Sequence, residues 1–211
     1  MNKVAGFLVG VILFSSVGKA AADDLDAWDK SFKQGVQALE AGDLQKAEKA
    51  FLEALIEARK KGKYSVELSS TYMNLGTIYG REGRHAYAEK MFFNALAIDQ
   101  RVLGQNHPDV AKSMINLAQN YAAQQKYEDA EKLYMGALMI LKQSNMPAGP
   151  VAAAAFNNLS ILYENQKKYD LAVASARNLL AVYKSSLGAD HPLARETAER
   201  LEKLEKGLKA P

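Results

Sequence analysis

At 211 residues the chain is long for one compact domain and short for two; 48% hydrophobic and 24% charged residues are enough for a sizeable core and exclude a disordered chain. The absence of cysteine excludes disulfides, thiolate metal sites and a cysteine nucleophile, so the fold must stand on packing. The formal charge of +3 includes Lys3 and Lys19; without them 25 basic residues face 24 acidic ones, and no broad nucleic-acid footprint survives.

The first element is residues 1–22. A basic start at Lys3, an apolar run from Val4 to Val17 and small residues at Ala20, Ala21 and Ala22 read as a secretory signal peptide, with cleavage after Ala22 freeing Asp23. The 14-residue run is short of the roughly 20 residues that a spanning helix needs, so no membrane span is expected after cleavage. No cysteine follows the run, which closes the bacterial lipoprotein route. The expected location is periplasmic or secreted.

From residue 23 to 211 the chain reads as one repeat domain. "LGQNHPDV" at 103–110 returns as "LGADHPLA" at 187–194, and Pro108, Pro150 and Pro192 are spaced by 42 residues. Small residues keep that phase: Gly35, Gly76, Ala118 and Ser160 form one series and Ala47, Ala88, Ala130 and Ala172 a second. A third runs Ala54, Ala95, Ala137 and then Leu179. Four units are expected, at about 26–62, 64–106, 107–148 and 149–190, each an antiparallel helix pair with apolar residues at helical spacing. Turn signals at 40–44, 81–85, 124–128 and 165–169 divide each pair. The small residues let two backbones approach, while Phe51, Phe92 and Tyr134 are expected to fill the space between one pair and the next.

Each of the three prolines is expected to start a helix, with His107 and His191 at cap positions and Gly104 and Gly188 as left-handed residues ending the preceding helices. In the fourth unit Ala176 stands at the aromatic position and Leu179 at the small one, a swap that roughly keeps the volume. Residues 192–209 then show one narrow apolar stripe, Leu193, Thr197, Leu201, Leu204 and Leu208, beside Glu–Lys pairs at i,i+4. This is the pattern of a solvated capping helix.

Chemistry is sparse. There is no phosphate loop, nucleophile elbow, zinc helix or calcium loop, and only three histidines, so no catalytic, cofactor or metal residue is nominated. The basic run at 59–63 suits an acidic partner, and equally suits a helix C-terminus with no ligand at all. One series stands apart. Asn74, Asn116 and Asn158 recur at 42-residue steps although asparagine is a mediocre helix former. At about 100° per residue they point away from the small-residue face, toward an inner, concave side. Ser70, Thr77 and Arg81 share that side, as do Lys112 and Gln119, and Asn157, Ile161 and Asn165. Two readings stand: these amides line a groove for a peptide, or they bond between adjacent first helices and hold the array in register. The first unit carries Lys33 there, so any ladder has three rungs.

The small residues, the aromatic position and "NLAxxYxxQxKYxxAExLYxxAL" after "HP" resemble the tetratricopeptide repeat, in the 42-residue form of the kinesin-light-chain type, over about residues 26–186. The resemblance implies an all-α solenoid of four helix pairs plus the cap. It implies further that Asn74, Asn116 and Asn158 contact the backbone of a bound peptide. The expected function is a non-enzymatic protein- or peptide-binding scaffold of the bacterial envelope. The alternatives are a structural subunit held through its edges or convex face and, more remotely, an enzyme-associated subunit.

Overall fold

The computed structural model describes residues 26–144 and 149–209; the expected signal peptide lies outside the described residues. Among the described residues there are nine helices and no strand. They are α1 (Ala27–Glu40), α2 (Leu44–Lys60), α3 (Val66–Arg81), α4 (His85–Leu103), α5 (Pro108–Ala123), α6 (Tyr127–Gln143), α7 (Pro150–Asn165), α8 (Tyr169–Leu187) and α9 (Pro192–Lys209). They fall into two compact units, α1–α6 and α7–α9.

The starts of these helices follow from local chemistry. Asp26, Asp43 and Ser65 each accept a hydrogen bond from the backbone N–H three residues on, at 3.0, 2.9 and 3.1 Å, which satisfies one of the donors a helix start leaves open. Proline opens α5, α7 and α9. His107 Nδ1 accepts from Asp109 N at 3.1 Å, and His191 Nδ1 from Leu193 N at 3.3 Å, so both histidines serve helix starts. Gly104 and Gly188 have φ of 88° and 93° with ψ of 153° and 156°. This is the extended positive-φ region and not the left-handed helical one, and it is all but reserved for glycine.

The turn inside each pair needs a positive φ at one position. Gly42 and Gly83 fill it in the first two pairs, while Gln125 (φ 61°) and Lys167 (φ 59°) hold it in the next two. A side chain in that conformation costs roughly 1 kcal/mol. Gln125→Gly is therefore expected to raise stability by up to about 1 kcal/mol, read as a higher urea midpoint; an unchanged or lower midpoint would contradict this reading of the turn.

In the unit of α1–α6, α2 and α4 each pack on the first helix of their own pair and on that of the next, and α6 packs on α5. Ala47, Ala88 and Ala130, and Ala54, Ala95 and Ala137, are all fully buried. The aromatic position departs from expectation. A Cβ on Gly35 would lie 2.8 Å from Phe51 Cζ, and one on Gly76 would lie 2.7 Å from Phe92 Cδ1. The rings therefore seat on the glycine of their own pair instead of only filling space between pairs, because a glycine opposite leaves the only room for them. Polar clamps join successive pairs. Glu48 of α2 accepts from Arg84 at 3.2 Å, and Glu89 of α4 accepts from Lys126 at 3.0 Å, Gln124 at 3.2 Å and Tyr121 at 3.3 Å.

In the unit of α7–α9 the exchanged residues are both core: Ala176 is fully buried and Leu179, 2% exposed, clusters with Ala153 and Val182. Ser160, in the small series, donates to Ala172 O at 3.1 Å and so joins the two helices where its counterparts are glycine or alanine. The last helix packs on α8 and buries Ala194 and Thr197.

Candidate functional site

The residues expected in a groove divide by unit. In α1–α6, Arg81 is exposed at the end of α3, and Lys112, Asn116 and Gln119 are partly exposed along α5. Asn74 is not open to a ligand: it is 3% exposed, and its Nδ2 donates to Ser70 O at 2.9 Å on its own helix. Asn116 Nδ2 lies 2.9 Å from Met73 Sδ on α3 and so reaches back to the preceding first helix. In α7–α9, Asn158 is 2% exposed and its amide meets no hydrogen-bonding partner among the described residues. Asn157 accepts from Arg200 Nη1 at 3.1 Å, and Ile161 is partly exposed.

The three-rung amide face is thus corrected for Asn74 and Asn158. Asn74 and Asn158 are both covered by packing, and Asn74 spends its amide N–H on its own helix. Arg200 of α9 holds the same phase one period after Asn158, and it reaches Asn157 across the same 43-residue separation that links Asn116 to Met73. Arg200 also donates to Ser160 at 3.1 Å and ion-pairs with Glu164. At this register point Asn116 and Arg200 reach the preceding first helix, whereas Asn74 bonds within its own helix.

Of the residues expected in the groove of the α1–α6 unit, Arg81 and Gln119 have no hydrogen-bond or ion-pair partner among the described residues. Lys112 is tied to Asp109 at 2.5 Å. No group of three or more histidine, aspartate or glutamate side chains converges to hold a metal ion among the described residues, and no helix there is long and apolar enough to cross a membrane.

Sequence reasoning missed a buried carboxylate. Asp99 of α4 is 7% exposed and accepts from Ser69 of α3 and from Ser113 of α5, the latter at 2.5 Å. It bridges two successive first helices from behind. The signal was available, since Ala58 and Leu141 hold the same phase and an acid among them marks an unusual core position. Burial pushes the Asp99 carboxyl above the usual carboxylate range, against the two serine hydroxyls that favour its charged form. A raised folded-state pKa contributes stability below the unfolded value of 3.8 and loses it as pH rises through the folded value. Asp99→Asn is therefore expected to gain melting temperature relative to the parent as pH goes from about 4 toward 7; a difference that does not change with pH would contradict this.

Against this geometry, residues 67–143 match a family model described as Tetratricopeptide repeat, and residues 152–193 match a second with the same description. No curated protein matches the chain. Among solved structures, BtubC (BKLC) from P. vanneervenii is similar at 24% identity, over 84% of this chain and 79% of that one, with a TM-score of 0.62. A putative kinesin light chain with nearly identical TPR-like repeats from Podosopora anserina shares 18% identity over 84% of each chain, with a TM-score of 0.71. The apo form of RapI shares 18% identity over 86% of this chain and 64% of that one, with a TM-score of 0.73. At these identities the likeness is one of fold: all-α repeats of paired helices.

Proposed function

The chain belongs to the tetratricopeptide repeat family, and from that premise we propose that it is an exported, non-enzymatic binding module of the bacterial envelope that holds a partner segment against its row of first helices. Repeats of this family commonly mediate contact between proteins. The observation that carries the reading is the pair of unpartnered polar groups on first helices, Arg81 and Gln119, beside the partly exposed Asn116. A guanidinium takes a carboxylate or a carbonyl; an amide offers a donor and an acceptor together and so satisfies a peptide unit without reading its side chain. Hydrogen bonds of about 0.5–1.5 kcal/mol each make such a site weak by itself, with micromolar affinity the natural range once apolar contacts are added.

The test is a photo-crosslinker placed at Gln119 in cells. The segment it captures is then titrated against the parent, Arg81→Ala and Gln119→Ala. Each variant is expected to weaken binding several-fold with unchanged melting; a captured segment that binds both variants as tightly as the parent contradicts the proposal. Export is read from the same cells, where the purified protein should begin at Asp23. An intact Met1 in the membrane fraction would contradict it. A second reading, a structural subunit of an envelope assembly held through its outer face, is favoured by Phe93 and Met139, which are 60% and 59% exposed on second helices.

A further inference from the structure

The repeat phase organises the outer face of the second helices as well as the core. Leu52, Phe93 and Met135 occupy one in-phase position on α2, α4 and α6, and are 41%, 60% and 53% exposed. One turn further along, Ile56, Ala97 and Met139 form a second exposed row, with Ile56 and Met139 each 59% exposed. Scattered exposed apolar residues are ordinary, but two apolar rows repeated in phase on three successive second helices make a pattern. The fold does not demand it. In α8 the same two positions carry Arg177, which pairs with Glu205 at 2.6 Å, and Ala181.

Cations edge the stripe on both sides. Lys49, Lys90 and Lys132, all exposed, form an in-phase row one turn before it, and Lys60, Arg101 and Lys142 lie one turn after it. Much of the acid on these helices is tied into local pairs, Glu48 with Arg84, Glu57 with Lys60 and Glu89 with Lys126, while Lys49, Lys90 and Lys142 have no such pair. Glu53, Glu128 and Asp129 remain exposed at the margin, Asp129 beside Lys132 at 3.9 Å. The result is an apolar strip two side chains wide between two basic rows.

We propose that this outer face of α2, α4 and α6 docks an amphipathic helix of a partner protein, one whose apolar seam is flanked on both sides by acidic residues. Charge complementarity selects that occupant. A single helix offers apolar side chains along a narrow seam with charges on either flank, which matches cations held in a row on each side. An anionic bilayer extends without limit, so it would meet Glu53 and Glu128 too, and the stripe has none of the tryptophan and tyrosine that favour a lipid interface. Met135 and Met139 supply adaptable side chains suited to gripping a helix. Crossing three helices takes at least about 20 Å, or some 13 helical residues.

The test uses the full chain and two synthetic helices of about 18 residues with leucines at helical spacing, one flanked by glutamate and the other by lysine. The acidic peptide is expected to bind and the basic one not. Lys90→Glu with Lys132→Glu should weaken binding about tenfold or more, as should Phe93→Ser with Met139→Ser, all at exposed positions where melting should be unchanged. Methyl resonances of Met135 and Met139 should shift on binding while that of buried Met73 stays. Arg81→Ala and Gln119→Ala should leave this binding intact, so a failure here and a failure of the first-helix site are told apart. Equal binding of both peptides, insensitivity to the charge reversal, or flotation with phosphatidylglycerol vesicles without peptide binding would each overturn the proposal.

Discussion

Phe51→Ala is expected to cost about 3–5 kcal/mol, among the largest losses any single substitution in the chain should give. The ring is fully buried, stands edge-on to Phe32 at 5.3 Å between centroids, and lies over Gly35 so closely that no Cβ fits there. Its removal leaves a hole that two packed helices cannot close without losing their other contacts. Glycine in mid-helix itself costs roughly 1 kcal/mol relative to alanine, and this sets a sharper test. Gly35→Ala should destabilise the parent, where its methyl meets the ring at 2.8 Å, and stabilise the Phe51→Ala protein, where the ring is gone. Urea denaturation of the four proteins measures both signs. A loss below about 1 kcal/mol for Phe51→Ala, or the same sign for Gly35→Ala in both backgrounds, would show that the ring and the glycine are not packed as described.

Deleting residues 192–211 is the second large effect, expected to cost at least about 3 kcal/mol and to lower the solubility of the chain. The last helix buries Ala194 and Thr197, and its Arg200 gathers Asn157, Ser160 and Glu164. Without it the second helix before it loses its outer neighbour and Glu164 loses its cation. Arg200→Ala isolates the polar part: it keeps the helix and should cost about 1–3 kcal/mol, less than the deletion. Thermal melts followed by circular dichroism decide this. A truncated chain that melts with the parent and stays soluble would mean the helix caps nothing.

The helix bounds were legible in the sequence because several independent signals share one period: prolines that can only start helices, small residues that can only face a close neighbour, and turn residues between them. The direction of side chains at a seam was not. A helical wheel separates the inner from the packed face of an isolated helix, but it contains no neighbour and cannot show that a residue on the inner side is covered. Asn74 and Asn158 are buried, where the sequence left open either a peptide groove or a structural ladder. Arg200 escaped notice because it stands in the capping helix, although its phase matches the asparagines. Asp99 escaped because a lone acid in a repeat reads as surface until the core position of its counterparts is counted.

The central claim is the proposed division of labour along the first helices of the α1–α6 unit: Asn74 is a packed residue that serves stability, and Arg81 and Gln119 are the proposed contacts to the partner. The most direct measurement takes one captured segment and compares Asn74→Ala with Arg81→Ala for both melting temperature and affinity. Asn74→Ala should lower melting and leave the affinity of the folded protein unchanged, while Arg81→Ala should leave melting unchanged and weaken binding several-fold. The opposite pattern, with binding lost at Asn74 and stability lost at Arg81, would contradict the account.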